Sequence, residues 1–338
     1  MADLGEYGDL DGSGALAGLS LPAIAAARRL KGHASTRRFF RLRTGEGASA
    51  ILVVYPESDA ADALDRFERT ARWFTTAGVR VPRVWQRGER ALVMADGGDR
   101  MLDGAQVGEV PRLYRQAMSI VAKLQDHGWR AELPNPAWAL DGERFTFELD
   151  FMERHAVRAW LGKADGGELR RAFYDELSAR LDGLPRAFCH RDFHSRNLMV
   201  HQGRLLVLDF QDAMEGPVFY DAASLLLDNY VDVPVSVVAA SLASVRMRPG
   251  AVHAVDMSLR VPTWPRGLAP GNRQAFALTA LQRSLKALGT FGYQVTARGN
   301  TAYAAYARRT WEHARRLLRE LGWERYEALL AVFDQIRA

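Results

Sequence analysis

Residues 188–213 read FCHRDFHSRNLMVHQGRLLVLDFQDA. Two apolar-rich runs, Met199-Val200-His201 and Arg204 to Leu208, flank Gln202-Gly203. That pattern predicts a β-hairpin with a two-residue turn. Pairing 201 with 204 pairs 197 with 208, which sets Asn197 beside Asp209. Asp192 lies five residues before Asn197 on a loop, so an amide and two carboxylates can converge. Amide and carboxylate oxygens suit Mg²⁺, which keeps its waters and also takes phosphate oxygens. A carboxylate left off the metal can orient a hydroxyl nucleophile and accept its proton. His190-x-Asp192-x-His194 could instead hold a transition metal, but no third ligand at suitable spacing is evident.

The chain has 338 residues, 48% hydrophobic and 25% charged. This leaves room for about two domains or lobes with a real core. It excludes a collagenous, low-complexity or wholly disordered chain. The single cysteine, Cys189, excludes a disulfide framework and multi-cysteine metal sites. It ends the apolar strand Ala187-Phe188 and is expected to be inert core. The nearest candidate for a membrane span, Val233 to Val245, is too short and contains Pro234. The opening MADLGEYGDLDGSG lacks the basic and apolar regions of a signal peptide, so a cytoplasmic protein is expected. Net charge is +5, carried by scattered arginines, with lysines only at 31, 123, 163 and 286. The expected partner is a small anionic molecule, with no nucleic acid and no membrane, on a monomer.

Residues 1–20 read as a flexible lead-in. FFRLRT (39–44), Gly45-Glu46-Gly47 and SAILVVY (49–55) predict a hairpin. A helix is predicted over 59–77, with Ala63, Phe67, Ala71 and Phe74 on one face. Two more strands surround Arg87-Gly88-Glu89, and a break follows at Asp96-Gly97-Gly98-Asp99. Leu113, Ala117, Ile120, Val121 and Leu124 form a helical stripe. Further helices are predicted over 142–162, 167–183, 219–231, 235–247, 272–293, 300–321 and 323–336. The division is thus a β-rich lobe over 21–95 and a helical lobe over 96–338, an α+β chain. A cleft at the hinge is where a ligand is expected.

The run His190-Arg191-Asp192 with Asn197, followed by Asp209-Phe210-Gln211, resembles the kinase catalytic loop and its metal aspartate. No protein-kinase activation loop follows, since Gly216, Pro217, Tyr220 and Asp221 lead straight into a helix. The chain therefore resembles the aminoglycoside-phosphotransferase-like kinases. It looks most like the N-acetylmuramate/N-acetylglucosamine anomeric kinases of cell-wall recycling. GHASTRRFFRL (32–42), ADGGD (95–99), GPVFYDAASLLLDNYVD (216–232) and LQRSLKALGTF (281–291) carry that likeness over roughly residues 30 to 330.

The resemblance implies a two-lobed protein-kinase-like fold, ATP and Mg²⁺ as cofactors, and an amino sugar phosphorylated at C1. Asp192 is implied as the catalytic base, with Asn197 and Asp209 as metal ligands. With the strand lysine of kinases absent, Arg37 and Arg38, after the loop that ends at Ser35, are candidates for the nucleotide phosphates or else exposed strand arginines, and the backbone of Ala95 and Gly97 is the candidate for adenine. His194, Arg196, Asp212, Glu148 and Arg283 are candidates for the substrate. His194 could equally cap the loop, Arg196 could meet phosphate or be surface charge, and Asp212 could support the loop. His190 and Asp221 are implied as internal braces. Trp138 and Trp264 could stack on a sugar or sit in the core. The chain departs from the family at His33, Ala95 and Ser284, near expected phosphate, adenine and sugar positions. The strand lysine of kinases is also missing, with Val54 or Tyr55 in its place. Another aminohexose, an aminoglycoside, an amino-alcohol, or a regulatory pseudokinase role are the alternatives.

Overall fold

The computed structural model describes residues 14–30, 36–163, 167–242, 245, 258–260, 262–264 and 268–336. Two compact units divide the chain: residues up to Arg100 with Met199–Gln211, and Met101–Leu198 with the chain from Asp212 onward.

The first unit is built on five antiparallel strands in the order β1-β2-β3-β5-β4. They are β1 (Ile24–Leu30), β2 (Arg38–Thr44), β3 (Ser49–Val54), β4 (Val84–Arg87) and β5 (Ala91–Ala95). The predicted hairpin pairs Phe40 with Leu52 and Leu42 with Ala50. Period-two alternation then puts Phe40, Leu42, Leu52, Val54 and Val93 into one core. Helix α1 (Ala60–Thr76) buries Leu64, Phe67, Ala71 and Phe74. Ala63, expected on that face, is only half-buried, and Leu64 takes its place.

The stretch 14–20 differs from the flexible lead-in expected over 1–20. Ala15 and Leu16 are buried in the core of the sheet, and the Glu89 N–H donates to Ala17 O at 2.9 Å. Burial of this apolar pair ties the segment down. Contacts also group the hairpin Met199–Gln211 with the first unit rather than with the helical lobe expected over 96–338. Its strands are β7 (Leu198–His201) and β8 (Arg204–Val207), and Gln202 and Gly203 both take positive φ at the turn. The Val200 N–H donates to Arg100 O and the Val207 N–H to Arg80 O. The Phe210 ring lies 4.8 Å from Phe67 and 5.4 Å from Phe74 of α1.

The second unit is helical around the short pair β6 (Arg186–Cys189) and β9 (Met214–Pro217), which run antiparallel. Its helices are α2 (Val110–Gly128), α3 (Gly142–Met152), α4 (Gly167–Asp182), α5 (Tyr220–Leu226), α6 (Val235–Leu242), α7 (Pro270–Thr296), α8 (Ala304–Glu320) and α9 (Glu324–Leu330). The helix expected over 142–162 changes to a π-helix at Glu153–Trp160. The one expected over 219–231 stops at Leu226. The cause lies just beyond, where the Asp228 carboxylate accepts from the Ser195 and Tyr230 N–H groups and turns the chain.

Helix α7 meets α3 and the π-helix backbone to backbone. A Cβ on Gly289 would stand 2.7 Å from Met152 Cα, and one on Gly292 would stand 2.6 Å from Ala156 Cα. Only glycine allows that approach. It sets the register that brings Gln282 and Lys286 to Glu148. Among the described residues no helix is long and apolar enough to cross a membrane.

Candidate active site

In the second unit, strand β6 delivers His190 to the loop. The Asp221 carboxylate lies beneath it, accepting from the His190 N–H at 2.7 Å and the Arg191 N–H at 3.0 Å. Arg191 takes φ +82, a strained conformation for a residue with a side chain, and these bonds hold it there. His190 is buried, its ring 5.5 Å edge-on from Phe193. Burial raises the Asp221 pKa from its ordinary value, against the opposing pull of His190 and the backbone donors. The Asp221 carboxylate thus ties the backbone of the loop at His190 and Arg191. Asp228 braces the loop in the same way at Ser195, and its pKa is also raised by burial.

The loop closes on itself around Asp192. The His194 N–H and the Asn197 side-chain amide both donate to the Asp192 carbonyl, at 3.0 and 2.8 Å. With its nitrogen so used, the Asn197 amide presents an oxygen, the end a hard cation takes. The His194 ring stands 5.1 Å from Tyr230.

The Asp192 side chain is one-third exposed and meets two cations from α7. Lys286 Nζ donates to Oδ1 at 3.0 Å and the Arg283 guanidinium to the same oxygen at 3.3 Å. Burial alone would raise this carboxyl's pKa, but Lys286, Arg191 and Arg283 hold it well below the usual range. Glu148 of α3 is buried behind them. Its Oε1 accepts from Arg191 at 3.2 Å and lies 3.8 Å from Lys286, while Oε2 accepts from Gln282 at 2.7 Å. Burial pushes its pKa up, and Lys286 and Arg191 overcome that to bring it down. Burial lowers the Lys286 pKa despite both carboxylates.

Several candidates have partners within the protein. Glu148, a candidate for the substrate, has its oxygens taken up inside the protein. Arg196 is a tie within the fold. It donates to Asp103 at 3.1 Å and Tyr306 at 2.7 Å, with its guanidinium 4.1 Å from the Tyr230 ring centre. Asp212 is half-buried and close enough to Arg191 to act on its charge. Ser284, one of the departures, is buried and bonds Ala280 O of its own helix. Trp264 packs 5.8 Å from Phe276, while Trp138 is partly exposed.

In the first unit, Asp209 takes φ +57 at the end of the hairpin, anchored by Phe210. Its Oδ1 accepts from Arg37 at 2.9 Å and from Gln211 at 3.0 Å. Arg38 opens β2 opposite Val54. Ala95 ends β5 opposite Ala50, and its N–H donates to Arg83 O. The break after it is bound by Arg41, which donates to Asp99, Asp96 and Gly98 O. A Cβ on Gly97 would overlap Met199 and Leu206, so a side chain is excluded there. The Gly97 carbonyl lies 3.0 Å from His201 Nδ1. Ser35 and His33 fall outside the described residues.

Sequence reasoning assigned no role to Lys286, Gln282 or Asp228. Gln282, Arg283 and Lys286 fall at i, i+1 and i+4, a spacing that gathers them on one side of a helix.

An antiparallel sheet joined in sequence to a helical unit that bears His-Arg-Asp and Asn on one braced loop defines an α+β, protein-kinase-like phosphotransferase. The chain belongs to the phosphotransferase enzyme family, whose sequence profile it matches over residues 26–251. It is 29% identical over 268 residues to the N-acetylmuramate/N-acetylglucosamine kinase of Pseudomonas aeruginosa, covering 76% of this chain and 73% of that one. Amicoumacin kinase, solved with AMP-PNP and Ca²⁺, superposes with a TM-score of 0.64 at 12% identity over 94% of each chain. The choline kinase of Streptococcus pneumoniae superposes with a TM-score of 0.59 at 13% identity, over 91% of this chain and 98% of that one. At such identities the two structures speak for the fold.

Proposed function

We propose that this protein is an ATP-dependent kinase of N-acetylated amino sugars, acting on the anomeric C1 hydroxyl of N-acetylmuramate or N-acetylglucosamine. The observation that carries the reading is the Asp192 carboxylate, met by Lys286 and Arg283 on a braced loop, in a chain resembling a kinase of those sugars. The acceptor hydroxyl oxygen bonds to the γ-phosphorus of ATP as the bond to the β–γ bridging oxygen breaks. ADP leaves, and the acceptor proton passes to Asp192. The side-chain oxygens of Asn197 and Asp209 are of the right chemistry to hold Mg²⁺, which would neutralise phosphate charge when bound.

Arg37 and Arg38, with Ser35, serve the phosphates in this reading, and the backbone at Ala95 and Gly97 serves adenine. His194, Asp212 and Arg283 are the candidates nearest the acceptor. Most of the protein's contribution is positioning and charge neutralisation. The test is ATP turnover against a panel of free N-acetylated sugars, aminoglycosides and choline. Turnover with the N-acetylated sugars alone supports the reading. Turnover with choline or an aminoglycoside instead replaces the acceptor, and ATP binding without any turnover replaces the enzyme with a regulatory protein.

A further inference from the structure

Two cations converge on one oxygen of Asp192. Lys286 and Arg283 both donate to Oδ1, at 3.0 and 3.3 Å. No hydrogen bond from the described residues reaches Oδ2. A carboxylate pinned through one oxygen loses its freedom to turn and offers the other to a ligand.

Lys286 is itself held in place. Glu148 lies 3.8 Å from its Nζ, and Glu148 is fixed in turn by Gln282 at 2.7 Å and Arg191 at 3.2 Å. Arg191 is the residue just before Asp192, so the chain of contacts closes on the loop it started from. Helix α7 brings Gln282, Arg283 and Lys286 to this point through the glycine contacts at 289 and 292. The Lys286 side chain is only 13% exposed, so it is built into the site.

We propose that Lys286 is a positioning residue for the phosphoryl transfer: with Arg283 it ties Oδ1 of Asp192, and so makes Oδ2 the oxygen that takes the acceptor's proton. Glu148 belongs to the same device, holding Lys286. This inference rests on the reading of Asp192 as the base. Losing Lys286 frees the carboxylate to rotate, and small misplacements of a reacting group cost up to about 10²-fold in rate.

The experiment is a double-mutant cycle on wild type, Lys286→Met, Asp192→Asn and the double variant, with Lys286→Arg as the conservative control. Turnover is measured with N-acetylglucosamine and, separately, with water as acceptor of the γ-phosphoryl group. Lys286→Met is expected to lower kcat about 10- to 100-fold while KM for ATP holds. In the Asp192→Asn background the same change should add no more than about 2-fold. Lys286→Arg should recover some of the loss. A Lys286→Met loss that persists in full without the carboxylate would mean that Lys286 acts on sugar or phosphate directly, and would overturn the proposal. So would an unchanged kcat. Failure of every sugar to react would sink the proposed acceptor and leave the clamp to be judged on the water reaction. Crystal structures of wild type and Lys286→Met decide independently: a displaced Asp192 carboxylate in the variant supports the clamp, and one unchanged rotamer overturns it.

Discussion

The Arg37 guanidinium donates to Oδ1 of Asp209 at 2.9 Å. It stands 5.5 Å from the Phe39 ring centre and 5.9 Å from that of Tyr55. Burial would weaken its charge, but Asp209 more than restores it and raises the Arg37 pKa. The cation at Asp209 thus comes from just before β2. A hydrogen bond to a charged group is worth about 1.5–3 kcal/mol, or about 10- to 100-fold in affinity. In the proposed reading Arg37 also donates to an ATP phosphate, so Arg37→Ala should weaken ATP binding by roughly that factor, read by calorimetry with Mg²⁺ present. Arg38→Ala, the other proposed phosphate contact, should weaken it as well. Unchanged ATP affinity in Arg37→Ala would count against this assignment.

Asp192→Asn keeps the shape of the side chain and removes its capacity to take a proton. Turnover should drop about 10²–10⁴-fold, with ATP affinity nearly unchanged. Asp209→Ala should weaken Mg²⁺-dependent ATP binding as well. Near-normal turnover in Asp192→Asn would remove the loop from the chemistry.

The braced loop is legible in the sequence because its pattern is local: His190, Asp192 and Asn197 sit within eight residues. In the first unit, Gln202-Gly203 announces the hairpin that ends at Asp209. Asp221 is reached only through the family resemblance, since its partners His190 and Arg191 lie about 30 residues away. Lys286 is not legible, because its partner Asp192 is 94 residues away and no spacing rule reaches that far. Glu148 can be placed near the site, but only the packing of α3 on α7 reveals that it faces inward to Gln282. The lead-in departs from expectation for the same reason: Ala15 and Leu16 are a short apolar pair whose burial depends on a sheet that forms later in the chain.

Gly289 and Gly292 should be intolerant of alanine. Each added Cβ would meet backbone of α3 or the π-helix, at 2.7 Å from Met152 Cα and 2.6 Å from Ala156 Cα. Overpacking of this kind costs about 1–3 kcal/mol. Gly289→Ala should lower the midpoint of urea unfolding and also kcat, because parting the helices moves Lys286 from Glu148. A folded Gly289→Ala protein with unchanged stability would contradict the close approach of the helices.

Arg319 and Arg315 hold Glu327 of α9 down to about 2 from the usual 4.5, with hydrogen bonds from Arg319 the largest cause. A carboxyl whose pKa is lower folded than unfolded adds stability above the unfolded pKa and loses it as pH falls toward the folded one. Glu327→Gln should therefore melt below wild type near neutrality, and the gap should narrow from about pH 5 to pH 3. A gap that stays constant or widens on acidification would refute the linkage.

The central claim, transfer to an anomeric hydroxyl, is tested most directly by phosphorus–proton NMR of the product formed from ATP and N-acetylglucosamine, alongside its methyl glycoside and 6-deoxy forms. The C1 hydroxyl is the most acidic on a free sugar, so it asks least of Asp192, whose pKa is held low. The expected product is an acid-labile 1-phosphate coupled to H1, formed from the free and 6-deoxy sugars and not from the methyl glycoside. Phosphorylation of the methyl glycoside, or a product coupled at H6, would contradict it.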